Sequence, residues 1–223
     1  MAKQGSIWLD LLGDPTSFER VVMSAIEKTF TVAVKNSIES IKTDFEVLVY
    51  NSIHECPELE ELRSGTLRGE LGLSINVATE VSENIARTVS ESIFVEHKNA
   101  STREGIGGLI VYVQPSHFSN VLGVANSSVS YHSKKENRTI VLKWLDWLLT
   151  EGDKIIVSQF SFKPEAGRGR TGLGRMRKGG SWRISPQYAG TEDDNFITRA
   201  LSDKGLQENM ASIIHKEIKR NWK

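Results

Sequence analysis

Residues 163–201 read KPEAGRGRTGLGRMRKGGSWRISPQYAGTEDDNFITRAL. The first half of this stretch, 163–183, sets Lys163, Arg168, Arg170, Arg175, Arg177, Lys178 and Arg183 against the single acid Glu165. Seven cations and one acid give a local charge of +6 in a chain whose formal net charge is zero. Six glycines (Gly167, Gly169, Gly172, Gly174, Gly179 and Gly180) lie among them, with almost nothing apolar. Such a segment buries too little surface to offset its ordering entropy, so alone it is expected to be mobile. It then meets Trp182, a side chain that seeks a packed home. A basic arm tethered at both ends in a neutral protein is expected to order on a partner.

The flanks define the arm further. Upstream, residues 153–162 (DKIIVSQFSF) alternate Ile156, Ser158, Phe160 and Phe162 with Ile155, Val157, Gln159 and Ser161, the period of a strand. Downstream, Trp182-Arg183-Ile184 is placed to form a returning strand, which makes the arm the tip of a long β-hairpin. Glu192-Asp193-Asp194 follows, and Asp193 or Asp194 is expected to cap a last helix that starts near Asn195. Phe196, Ile197, Ala200, Leu201, Leu206, Met210, Ile213, Ile214 and Ile218 carry that helix towards Lys223.

Further out, the N-terminal part is helical. Asp14 and Pro15 make an N-cap and first helical position. Phe18, Val21, Val22, Ile26, Phe30, Val34, Ile38, Ile41 and Phe45 recur at three or four residues, predicting an amphipathic helix over 15 to about 42. Val47, Leu48, Tyr50 and Ile53 continue it, with or without a break at Thr43-Asp44. Pro57 restarts the chain, residues 66–73 form a short helix closed by Gly72, and Val77, Val81, Ile85, Val89 and Ile93 predict a second long helix over about 78–92. Phe94-Val95-Glu96 either closes that helix or begins a strand.

Between these parts the texture is β. Residues 101–108 are a polar turn, 109–113 (LIVYV) a strand stopped by Pro115, and 121–132 a loop with a weak polar strand. Residues 140–150 are densely apolar and read as a short buried helix ending at Gly152. The expected fold class is therefore α+β in a single domain. It comprises a helical part (1–94), a mainly antiparallel sheet with the basic arm (95–192, arm 163–183) and a C-terminal helix (193–223).

Composition narrows the function classes. At 223 residues, 39% hydrophobic and 25% charged, the chain is that of a soluble globular protein. It has no run long enough to span a membrane, and its start, MAKQGSIWLDLLGDP, lacks the long apolar core of a signal peptide. The single cysteine, Cys56, excludes an internal disulfide framework and a zinc cluster and fits a reducing cytoplasm. Cys56 lies near His54, but no base or further ligands are specified, and His97, His117, His132 and His215 stand singly. We expect no metal, no cofactor and no catalysis. Gly167, Gly169 and Gly172 fit G-x-G-x-x-G, yet the loop is crowded with arginine and opens no helix, so a dinucleotide site is not expected. Arg and Gly without interleaved aromatics favour contact with a nucleic-acid backbone over base reading, and arginine forks equally suit an acidic protein surface.

A family resemblance rests on particular residues. They are Trp144-Leu145 and 148–152 (LLTEG), 168–172 (RGRTG), the run 180–191 (GSWRISPQYAGT), and Phe196-Ile197-Thr198-Arg199-Ala200. In this arrangement Tyr188, Gly190 and Thr191 precede the Phe-Ile-x-x-Ala start of the last helix. From Trp144 to Leu201 the chain resembles neck proteins of tailed bacteriophages, the head–tail connector and tail-completion proteins of the virion. The resemblance implies a structural, ring-forming subunit, hexameric or dodecameric, at the portal–tail junction. Its implied partners are further copies of itself, other neck, portal-adaptor or tail proteins, and DNA passing through the channel. It implies neither an enzyme nor a cofactor. A tail terminator capping the tube or sheath is one alternative and a nucleic-acid-binding accessory protein another. A neutral chain with segregated charge suits head-to-tail contacts in a ring. Arg168, Arg170, Arg175, Arg177 and Lys178 are the expected inter-subunit or DNA-channel contacts, and Trp182, Tyr188 and Phe196 the expected anchors of the arm.

Overall fold

The fold is built along one helix. In a computed structural model, which describes residues 15–99, 107–115, 117–133 and 137–222, α1 runs unbroken over Pro15–His54, 40 residues, or about 60 Å. The expected cap at Asp14 and most of the polar turn at 101–108 lie outside the described residues. No break occurs at Thr43-Asp44. The Thr43 hydroxyl donates to the Glu39 carbonyl (2.9 Å), and the stripe Ile41, Phe45, Val49, Ile53 keeps one face wholly buried. The helix stops before Pro57, where Cys56 takes an extended ψ of 141°, as the residue before proline prefers.

α2 (Pro57–Arg63) and α3 (Thr66–Leu71) turn the chain over, and Gly72 ends α3 in the left-handed region at φ 70°. α4 (Ile75–Glu91) starts three residues earlier than its periodicity suggested, because Ser74 caps it by accepting the Val77 N–H. Its buried stripe Ala78, Val81, Ile85, Val89 packs along α1.

The α+β class holds, but among the described residues the strands form three separate two-stranded antiparallel hairpins and not one sheet. β1 (Phe94–Lys98) pairs with β2 (Gly108–Tyr112), β3 (Val129–Ser133) with β4 (Arg138–Leu142), and β5 (Val157–Pro164) with β6 (Gly174–Trp182). The intervening helices α5 (Ser119–Leu122) and α6 (Trp144–Leu149) carry fully buried Val121, Trp144, Leu145, Leu148 and Leu149. Residues 140–142 correct the expected helix over 140–150. They are strand β4, and the helix begins only at Trp144, after Lys143 leaves helical geometry at ψ 75°. A dense apolar run cannot by itself distinguish the two, and the β-branched pair Ile140-Val141 takes a partner in Tyr131-Ser130.

The C-terminal part is two helices, α7 (Phe196–Leu201) and α8 (Lys204–Asn221), where one was expected. Asp203 separates them by capping α8, accepting the Leu206 N–H at 2.9 Å. Neither Asp193 nor Asp194 caps α7. Asn195 does so, its Oδ1 accepting the N–H groups of Ile197 and Thr198 while Thr198 Oγ1 accepts the Asn195 N–H. The cap is fully buried, a place an uncharged amide occupies at far lower cost than a carboxylate. Asp194 instead receives Arg199 at 2.7 Å. α8 returns along α1, where the Ser37 hydroxyl donates to the Glu217 carbonyl and Trp222 meets Phe30 with ring centroids 5.9 Å apart.

Candidate functional site

The basic arm is a hairpin. β5 runs into it as far as Pro164, residues 165–173 turn at its tip, and β6 returns over Gly174–Trp182, ending where the returning strand was expected to begin; β5 starts at Val157, leaving Ile155 exposed. The reason lies in backbone pairing, which composition does not report. The register holds from Pro164↔Gly174 to Phe160↔Lys178, slips, and resumes at Ser158↔Ser181 and Val157↔Trp182. At the slip, Gln159, Gly179 and Gly180 take φ of 66°, 107° and 78°. The two glycines make such a bulge cheap on β6. Strict alternation would put Val157 and Phe160 on opposite faces. The bulge lets both, with Phe162, Met176 and Trp182, line one open apolar groove of about 690 Å³ between the hairpin, α3 and the β3–β4 hairpin.

The opposite face is basic. Cross-strand partners share a face, so Ser161, Lys163, Arg175 and Arg177 lie together, with Glu165 at its end. Arg177 Nη2 donates to Glu165 Oε2 at 2.9 Å, Arg175 Nε lies 3.3 Å from the same oxygen, and Arg168 Nε lies 3.7 Å from Oε1. These three guanidinium side chains remain 48–64% exposed. One carboxylate cannot neutralise three cations, and exposed pairs of this kind hold little folding energy, typically about 0–1 kcal/mol each. The charge is therefore available to an outside anion.

Of the five residues expected to make contacts, the fold gathers Arg168, Arg175 and Arg177. Arg170, still exposed, reaches across to α3, donating to the Gly72 carbonyl at 2.6 Å and satisfying the open C-terminus of that helix. Lys178 pairs with Phe160 across the strands and stands apart from the Glu165 cluster. The tip is docked as well: at Gly69 an added Cβ would stand 2.8 Å from the Leu173 Cβ. Gly167, Gly169 and Gly172 sit in this tip with φ near 75° and lead into a strand, not a helix. Gly169 has no room for a side chain, since its Cβ would overlap the Gly174 carbonyl.

Trp182 is 4% exposed, and its Nε1–H donates to Glu70 Oε2 at 3.4 Å. Burial raises the Glu70 carboxyl above its ordinary range, and the Trp182 bond partly offsets this. Phe196 is wholly within the core, and half-buried Tyr188 presents its hydroxyl to Glu61, its pKa raised first by burial and then by that carboxylate. Arg199 ties buried Glu58 of α2 to Asp194 beside α7. Composition offered no sign of the roles of Glu165, Glu70 or Gly69. The one available signal was Gly69 and Gly72 within a single short helical stretch, since a helical glycine costs about 1 kcal/mol and calls for a packing reason.

Cys56 is closed off. Its thiol donates to the Ser52 and Phe196 carbonyls, and burial pushes its pKa up to about 12. His54 stacks on Tyr50 instead. A thiol held protonated at neutral pH is not a nucleophile. Among the described residues no cluster of three or more His, Cys, Asp or Glu could hold a metal ion, and no helix is long and apolar enough to cross a membrane. No family model, curated protein or solved structure matches the chain.

Proposed function

We propose that the chain is a structural virion subunit of a tailed phage, a ring-forming neck protein of the connector or tail-completion type that joins portal to tail without catalysis. The observation that carries this reading is the hairpin β5–β6. Its tip is fixed to α3 through Arg170 and Leu173, while Arg168, Arg175 and Arg177 stay together at the surface. A positioned yet exposed guanidinium cluster suits either a carboxylate-rich face of a neighbouring subunit or the phosphates of DNA in a channel. The residues that carry the phage resemblance fall on defined parts of this fold. They supply α6, the hairpin, the buried Trp182 and the Asn195-capped start of α7.

The deciding experiment is native mass spectrometry of the purified chain with electron microscopy of particles from infected cells. A hexameric or dodecameric ring, or density for the chain at the portal–tail junction, supports the reading. A chain that stays free of rings and particles overturns it. The accessory DNA-binding alternative predicts affinity for free duplex that falls steeply with salt. Ring formation without such binding removes it.

A further inference from the structure

We infer that the N-terminal half of α1 is a self-association surface on which a second copy of this chain docks in antiparallel orientation. This contact is independent of the proposed neck function. It would be isologous and close on itself as a dimer, unlike the head-to-tail contacts of a ring.

Every residue from Glu19 to Ile26 is exposed, yet the segment is not polar. Val21 is 66%, Met23 47%, Ile26 40% and Val22 38% exposed. Helices apolar on most sides are normally covered, and an uncovered helical stretch of so few residues is marginal on its own in water. At 100° per residue, Met23, Ile26 and Phe30 form one stripe, the upward continuation of the buried face of α1. Phe30 itself is partly covered by Trp222, and the two rings open onto an apolar groove of about 660 Å³ along α8.

The edge of that stripe identifies the occupant. Arg20 and Glu27 are seven residues apart and share it. When such a helix is laid antiparallel on a copy of itself, with Met23 opposite the partner's Ile26, the shared edges come together. Arg20 of each copy then faces Glu27 of the other, the arrangement of edge charges in a two-stranded coiled coil. The Arg20–Glu27 edge is thus its own complement under a twofold reversal, while exposed Glu19 falls at the end of the stripe beside the partner's Phe30. A specific but reversible interface starts at about 1,000 Å² in total, so the contact takes in the Trp222 ends as well as the two stripes.

Analytical ultracentrifugation of the full chain over roughly 1–100 μM, the range where an interface of this size responds to concentration, tests the inference. The expected result is a concentration-dependent dimer that Met23→Glu abolishes. Arg20→Glu and Glu27→Arg should each weaken it by about tenfold by setting like charges face to face, and the double exchange R20E/E27R should restore it. All three positions are at least partly exposed, and unchanged far-ultraviolet circular dichroism confirms that the variants keep their helices. Three outcomes overturn the inference: a monomer throughout, a dimer indifferent to these variants, or a monomer that dimerises only when residues 1–14 are deleted. In the last case the chain's own N-terminus occupies the stripe. Rings from a chain whose dimer equilibrium is absent or unmoved by Met23→Glu would overturn this contact and leave the neck reading standing. A dimer with the expected charge dependence but no ring or particle association would do the reverse.

Discussion

Along the lower half of α1, Ile41, Phe45, Val49 and Ile53 are wholly buried, whereas β6 buries only Gly174 and Trp182 and exposes the seven residues between them. The first segment is ordered by apolar burial, at roughly 25 cal/mol per Å². The second has no such resource. It is ordered by main-chain pairing with β5, by Arg170 on the Gly72 carbonyl, by Leu173 against Gly69 and by Trp182 over Glu70. A segment can therefore be polar, glycine-rich and still placed, provided its neighbours supply a few close fits. Such ordering is local, which lets the hairpin loosen without the body unfolding.

That contrast can be broken from either side. Phe45→Ala removes a fully buried ring from the spine. It should cost about 3–5 kcal/mol of global stability, read as a lower urea midpoint with every probe shifting together. Gly69→Val should cost about 1–3 kcal/mol through overpacking against Leu173, and the loss should be local. Amide exchange should speed up within 157–182 and stay unchanged in α1 and α4. Equal acceleration throughout would show that hairpin and body unfold as one unit.

A smaller effect should appear with pH. Burial raises the folded-state pKa of Glu70, so over an interval above the usual carboxylate range the fold holds a proton that the unfolded chain has released. Unfolding then releases a proton, and stability falls as pH rises through that interval and levels off above it. Glu70→Gln keeps an acceptor for Trp182 and should flatten that limb of the stability–pH curve. An unaltered limb would assign it to another group. Smallest of all, Glu165→Gln should change stability by about 0.5 kcal/mol or less, while strengthening salt-dependent binding of polyanions by unmasking Arg168, Arg175 and Arg177. Weaker binding would mean that Glu165 is needed to hold the arginines in place.

Much of the helical architecture was legible in advance, because burial on one face writes a three-to-four residue period into the sequence. Ile41, Phe45, Val81, Ile85 and Val89 announced their partners' side of the molecule in this way. The hairpin was legible in place but not in state. Lys163 to Arg183 reads as mobile by composition, since composition counts burial and cannot count main-chain pairing. Asp193 or Asp194 was the expected cap of α7, and Asn195 takes that place because the cap is buried.

By itself, then, the sequence determined the α+β class, the core faces of the long helices, the segregation of positive charge into one arm and the aromatic at its exit. All of these follow from local period and local composition. Only the tertiary structure decided that the arm is a bulged strand pair, that three of its arginines converge on Glu165 while Arg170 turns to α3, and that the upper face of α1 is left uncovered. Each of these depends on residues far apart in the chain meeting in space, and such meetings leave no mark in any local window of sequence.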